Sequence, residues 1–243
     1  MNANDILFRC SALGHLMTEP KSKSEKISET TKKHLCDIYV SRVWGKSKET
    51  FTKFTNKGLM VEEDSLTLFS RHQRKFFTKN EVTLANPYIM GTPDVITSDM
   101  VIDIKSSWDA FTFIKTRFDL NKMYYWQLQG YMWLAQKEKA MLAYCLINTP
   151  DVIVQGEKRK LAWQSGIIDD SDADFQKALE EVERNHNFDN LTLSDRVHIV
   201  EIERNEQDIE RLINRIKDAR LWMQENLFKP EVEQVNMESS GHE

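Results

Sequence analysis

The stretch GTPDVITSDMVIDIKS, residues 91–106, constrains the fold more than any other part of this chain. Val95, Ile96, Val101, Ile102 and Ile104 are strand-forming residues, yet Asp94, Asp103 and Lys105 interrupt the apolar pattern. In an extended segment Asp103 and Lys105, two apart, share one face, and Ile102 and Ile104 point into the opposite layer. Thr97-Ser98-Asp99-Met100 reads as a tight turn. With Ser98 and Asp99 as its two-residue loop, Thr97 opposes Met100 and, counting back, Asp94 opposes Asp103. Directly opposed side chains start about 5 Å apart at Cβ. Two carboxylates at that distance repel unless a positive charge lies between them. A divalent cation meets that need, since Mg²⁺ takes carboxylate oxygens together with retained waters. The bland alternative is an exposed Asp103–Lys105 ion pair, worth about 0–1 kcal/mol.

Two further segments bear on the choice. In NKGLMVEEDSLTLF, Glu62 and Glu63 stand early in an expected amphipathic helix whose apolar side is Leu59, Val61, Leu66 and Phe69. Glu62 is there either a further metal carboxylate or a plain surface acid. In YYWQLQGYM, Tyr124, Gln127 and Tyr131 lie on one side of a helix, and Gly130 permits close packing. Gln127 suits a hydrogen bond at the site or to a DNA phosphate.

The remaining elements predict a helix over the basic segment SEKISETTKKHLCDIYVS, with Ile27, His34, Leu35 and Ile38 spaced for it. Short strands follow, then the helix of Gln127, a strand at KAMLAYCLINTP, an acidic segment DDSDADFQKALEEVERN and a strand at RVHIVEIERN. A closing helix carries Ile209, Leu212, Ile213, Ile216 and Leu221. This order implies an α/β (α+β) fold with a mixed central sheet flanked by helices. Residues 1–230 read as one domain, with its core at about 50–150 and a C-terminal strand and helix at 195–228. Residues 231–243 read as a flexible tail.

The net charge of −5 hides an asymmetry: residues 1–60 carry 11 Lys/Arg against 6 Asp/Glu, and residues 151–243 carry 12 against 22. The basic N-terminal third suits phosphates. Cys10, Cys36 and Cys145 form no CxxC pair, which argues against a zinc or iron–sulfur site and for packed free thiols. No segment has the apolar length of a membrane span, and the N-terminus lacks a signal-peptide pattern, so an intracellular protein is expected.

Taken together, GLMVEED, GTPD, VIDIK and WQLQGYMWLAQKEKAMLAYCL, in this order, resemble the PD-(D/E)XK nuclease superfamily. Within it they resemble the phage lambda exonuclease and YqaJ-like viral recombinase group. RCSALGHLM and HIVEIERNEQ are weaker matches. The resemblance implies a restriction-endonuclease-like core in which Glu62, Asp94, Asp103, Lys105 and Gln127 are catalytic. Glu62, Asp94, Asp103 and the carbonyl of Ile104 would bind Mg²⁺, with Mn²⁺ able to substitute. Asp103 stands where lambda-type enzymes usually have Glu, which either residue type satisfies within the superfamily. Ser11, Lys21, Lys23 and Tyr131 are candidate DNA contacts, with His15 near the N-terminal serine.

The implied activity is a divalent-metal-dependent exonuclease on double-stranded DNA ends, 5′ to 3′, leaving single strands for phage-type recombination or repair. It carries with it a single-strand annealing partner and a homo-oligomer such as a trimer, located in the host cytoplasm if phage-encoded. A metal-dependent endonuclease and a catalytically silent DNA-binding module are the alternatives.

Overall fold

The computed structural model describes residues 2–48, 52–166 and 172–228. The expected tail at 231–243, and the start of the acidic segment at 169–171, lie outside the described residues. Helix α1 is Leu13–Leu16, α2 Glu29–Val43, α3 Lys53–Met60, α4 Glu62–Gln73, α5 Ala110–Lys115, α6 Lys122–Ala135, α7 Asp151–Ser165, α8 Ala173–His186 and α9 Glu206–Asn226. The strands are β1 Phe8–Arg9, β2 Leu84–Ala85, β3 Ile89–Gly91, β4 Val95–Ile96, β5 Met100–Ser106, β6 Lys139–Cys145 and β7 Val197–Glu203.

The mixed sheet is present, but divided in two: a small sheet in the order β1-β3-β2 and a larger one in the order β4-β5-β6-β7. In the larger sheet β4 and β5 are antiparallel, β5 and β6 parallel, and β6 and β7 antiparallel. A parallel pair needs a long crossover, which α5 and α6 supply. The expected hairpin register is the one observed, Val95 opposite Ile102 and Ile96 opposite Val101. The turn is tied by Thr97, whose N–H donates to Met100 O at 2.9 Å and whose hydroxyl oxygen accepts from Met100 N at 3.0 Å.

Alternation along β6 divides the core. Ala140, Leu142 and Tyr144 join the cluster that holds Leu13, Leu16, Leu35, Leu128, Met132, Leu212 and Ile216, under α1, α2, α6 and α9. Met141, Ala143 and Cys145 join Val61, Phe69, Phe77 and Ile102, under α4. Asp103 and Lys105 therefore emerge on the α6 side, whereas Ile102 and Ile104 pack on the α4 side.

Helix α6 is buried over every residue from Trp126 to Met132, so amphipathic spacing is absent there. Gly130 makes this possible: a Cβ on it would stand 2.6 Å from Leu13 Cδ1 and 3.0 Å from Cys10 Sγ.

Two apolar assignments, Leu59 and Leu221, need correction. The amphipathic segment is two helices, broken at Val61 (φ −110°, ψ 17°), and the break shifts the helical phase. Val61 and Phe69 are buried accordingly, while Leu59 is exposed. In α9 the stripe is Ile209, Leu212, Ile216, Ala219 and Met223, so Leu221 faces solvent. Strand β1 and helix α7 were not anticipated: the first is two residues long, and the charged run at residues 157–160 interrupts the apolar pattern of the second. Cys10 and Cys145 are buried free thiols and Cys36 is partly buried. No helix among the described residues is long and apolar enough to cross a membrane.

Candidate active site

Pro93 and the chain before it bring Asp94 to the start of β4, with Asn80 pinning the backbone. Asn80 N–H donates to Asp94 O at 2.7 Å, and its side-chain amide donates to Pro93 O at 2.9 Å. From there the Asp94 carboxylate reaches across the strand pair: its Oδ2 accepts the N–H of Ile104 at 2.6 Å. Asp103 is 1% exposed on the same face. The two acids are thus held together by the sheet register and cannot separate without breaking it.

Their electrostatics follow. Burial, then the charge of Asp103, pushes the Asp94 carboxyl up to about 7, against the pull of the Ile104 N–H and of Lys105. Lys105 Nζ lies 2.7 Å from Asp103 Oδ2. Burial opposes the ammonium, but the attraction of Asp103 and then Asp94 outweighs it, so Lys105 is held above its ordinary value. The ring of Tyr124 lies 5.0 Å from the ammonium and adds a cation–π contact. At 2.7 Å the ammonium is a close, charge-assisted partner of Asp103 Oδ2, and among the described residues no other donor reaches that oxygen.

The other Asp103 oxygen is fixed from α6. Gln127 Nε2 donates to Asp103 Oδ1 at 3.2 Å and to the Tyr131 hydroxyl oxygen at 2.9 Å. Tyr124, Gln127 and Tyr131 do share one helix side, as their spacing predicts. Tyr131, however, is 5% exposed, with its phenol pushed upward by burial and by Asp103. Tyr131, expected as a DNA contact, is thus a buried side chain that packs against Gly91 and bonds Gln127.

Glu62 arrives from elsewhere. It opens α4, on the opposite side of the sheet, and its Oε2 pairs with Lys79 Nζ at 3.0 Å. Glu62 is close enough to add to the upward push on Asp94, but it does not join the carboxylate pair. Among the described residues no three His, Cys, Asp or Glu side chains converge as a ready cation cage. Even so, the donors suit a hard divalent ion: two opposed carboxylates, one of them buried and held by the Lys105 ammonium, and a third carboxylate at the rim. Lys79 was missed in the sequence because TKNEV shows only an isolated lysine in a loop.

Ser11, Lys21 and Lys23 are exposed in the N-terminal segment and make no hydrogen bond or ion pair with the carboxylate site. His15 instead pairs with His34, ring centroids 5.0 Å apart. Beside Lys105 opens a cavity of about 580 Å³ bounded by Phe54, Trp108, Lys115, Lys122, Tyr124 and Tyr144. Its mixture of aromatic and cationic walls suits a polynucleotide strand. Trp108 had no sequence signal of its own.

No family model and no curated protein matches the chain. Solved structures do. A phage-related exonuclease from Haemophilus somnus 129PT is 26% identical with a TM-score of 0.71, over 91% of this chain and 95% of that one. An alkaline exonuclease from Laribacter hongkongensis is 13% identical with a TM-score of 0.61, over 90% of this chain and 88% of that one. The same enzyme in complex with dAMP gives a TM-score of 0.60 at 14% identity, over 92% and 90% of the two chains. These likenesses bear out the resemblance to the lambda exonuclease and YqaJ-like group, and the first of them supports a nuclease.

Proposed function

We propose that this chain, sharing its fold with phage-type exonucleases, is a divalent-metal-dependent DNA exonuclease acting on linear duplex ends. The observation that carries this reading is the Asp94–Asp103 pair: a half-buried and a buried carboxylate opposed across one strand pair, with the Lys105 ammonium against one Asp103 oxygen. A structural ion pair has no need of the second acid, which only raises its cost.

In this reading Asp94 and Asp103, with Glu62 and the Ile104 carbonyl, would hold Mg²⁺ or Mn²⁺. The ion would polarise the scissile phosphate and make water nucleophilic near neutral pH. Lys105 orients the attacking water or neutralises charge growing on the phosphoryl oxygens. Gln127 keeps Asp103 in one rotamer, so that its other oxygen stays aimed at Lys105 and the site. Tyr131 acts only through Gln127. Polarity from 5′ to 3′, single-stranded products for recombination or repair, an annealing partner and a ring-like homo-oligomer rest on the resemblance alone and belong to the same proposal.

The test is digestion of blunt linear duplex, labelled separately at each 5′ end, beside a covalently closed circle, with Mg²⁺ or with EDTA. Loss of the linear DNA alone, only with Mg²⁺ and leaving long single strands, is expected. Cutting of the circle would make it an endonuclease. DNA binding without cleavage in Mg²⁺ or Mn²⁺ would leave a binding module.

A further inference from the structure

Lys57 is 1% exposed, and no carboxylate among the described residues lies within ion-pair distance of it. Long cationic side chains are almost never buried without a partner. Its ammonium donates instead to two backbone carbonyls, Ser107 O at 3.0 Å and Trp108 O at 2.8 Å. The rings of Trp108 and Phe188 stand 5.8 and 5.6 Å from it. Burial pulls the ammonium down to about 8, against a weaker opposing pull from Asp109. The charged groups around it are few. Lys53 on the same helix is paired with Glu157 of α7 at 2.8 Å. His186 of α8, bonded to Thr149 at 2.8 Å, faces Trp108 edge-on at 5.2 Å.

The position of those two carbonyls gives the contact its meaning. Ser107 and Trp108 are where the chain leaves β5, two and three residues beyond Lys105, and Ser107 N–H makes the last bond to β6 at Cys145 O, 2.8 Å. One residue earlier, the Ser106 hydroxyl meets Ser65 of α4 at 2.7 Å. Lys57 and Ser65 therefore tie α3 and α4, on either side of Glu62, to the end of the strand that carries Asp103 and Lys105. An apolar residue at 57 would avoid the desolvation of a charge, yet would release both carbonyls and this tie.

We propose that Lys57 is a positioning residue for the nuclease site, fixing the exit of β5 and with it the placement of Lys105 and Asp103 relative to Glu62 and the Trp108 wall of the adjoining cavity. The inference rests on the nuclease reading. Its test separates the two by first measuring Mg²⁺-dependent hydrolysis by the wild-type protein; an inactive wild type sinks the reading itself.

With an active wild type, Lys57→Met should lower kcat by about 10–100-fold, the usual effect of removing a group that orients others. KM, and duplex affinity in EDTA, should stay within about twofold. Lys57→Arg, which keeps charge and donors, should recover much of the loss. A folded K57M with wild-type kcat overturns the proposal, as does a loss confined to KM. If K57M does not fold, Ser65→Ala decides: it removes the adjacent tie without touching a charge. Lowered kcat at unchanged KM in S65A upholds the tie, and wild-type kcat overturns it.

Discussion

Asp94 and Asp103 face each other across the β4–β5 pair, and Asp94 Oδ2 accepts the N–H of Ile104 at 2.6 Å, one residue beyond its opposing acid. Asp94 is thereby locked beside Asp103 and pushed up to about 7, chiefly by burial and then by that neighbour. The ordinary value is 3.8, so between about pH 4 and 7 the folded protein binds more protons than the unfolded chain. This pair's contribution to stability is thus greatest at acid pH and falls as pH rises through that window. An ion bound between the acids should reverse the loss. Mg²⁺ is expected to raise the melting temperature more at pH 7.5 than at pH 5. Asp94→Asn should raise the metal-free Tm at pH 7.5 by about 2–4 °C per kcal/mol relieved and remove the Mg²⁺ gain. Equal Mg²⁺ shifts in wild type and D94N would count against a metal at this pair.

Lys105 is the only cation touching Asp103 among the described residues, at 2.7 Å, with Asp103 nearly sealed from solvent. Breaking a buried pair strands the remaining charge. Lys105→Ala should therefore cost on the order of 3 kcal/mol in metal-free stability, read from urea unfolding. Saturating Mg²⁺ should restore part of it by replacing the lost positive charge. Hydrolysis should fall by about 10²–10³-fold in the same variant and should not be restored by the metal. A K105A protein as active as wild type would remove Lys105 from the chemistry.

A Cβ on Gly91 would stand 2.6 Å from Tyr131 Cε1 and 2.9 Å from Cys10 Sγ. Gly91→Ala must displace Tyr131, which bonds Gln127, which bonds Asp103. The expected cost is about 1–3 kcal/mol of stability together with lowered turnover. Tyr131→Phe, which keeps the ring and loses only the hydroxyl that accepts from Gln127, should cost about 1 kcal/mol and leave duplex affinity in EDTA unchanged. A weakened affinity in Y131F would restore the direct DNA contact that its burial argues against.

These pairs also show where the sequence was informative. The opposition of Asp94 and Asp103 was legible because a two-residue turn fixes the register of every residue behind it, and Thr97 closes that turn. The shared face of Tyr124, Gln127 and Tyr131 was legible from helical spacing. That spacing says which side a residue is on, not what covers it, so Tyr131 could not be recognised as buried. Glu62 was legible as the start of a helix, yet its pairing with Lys79 depends on how a loop returns past it. Lys57 gave no signal at all. Its partners are backbone carbonyls fifty residues away, and a carbonyl carries no sequence identity.

Lys57 also makes a prediction about stability alone. Burial holds its ammonium at about 8 in the folded protein, against 10.5 ordinarily. Below pH 8 both states are protonated, and the folded state bears the full cost of the buried charge. Between 8 and 10.5 the unfolded chain binds more protons than the folded one, so the contribution of this group to stability rises with pH. The slope is at most about 1.4 kcal/mol per pH unit. Tyrosines and cysteines titrate in the same window, so the useful quantity is the difference between wild type and K57M, in which those terms cancel. Urea unfolding at pH 7, 8.5 and 10 should show K57M gaining least, relative to wild type, at pH 10. Parallel pH profiles for the two proteins would mean that the ammonium keeps its ordinary pKa, so that its surroundings are wetter than the packing around Trp108 and Phe188 implies.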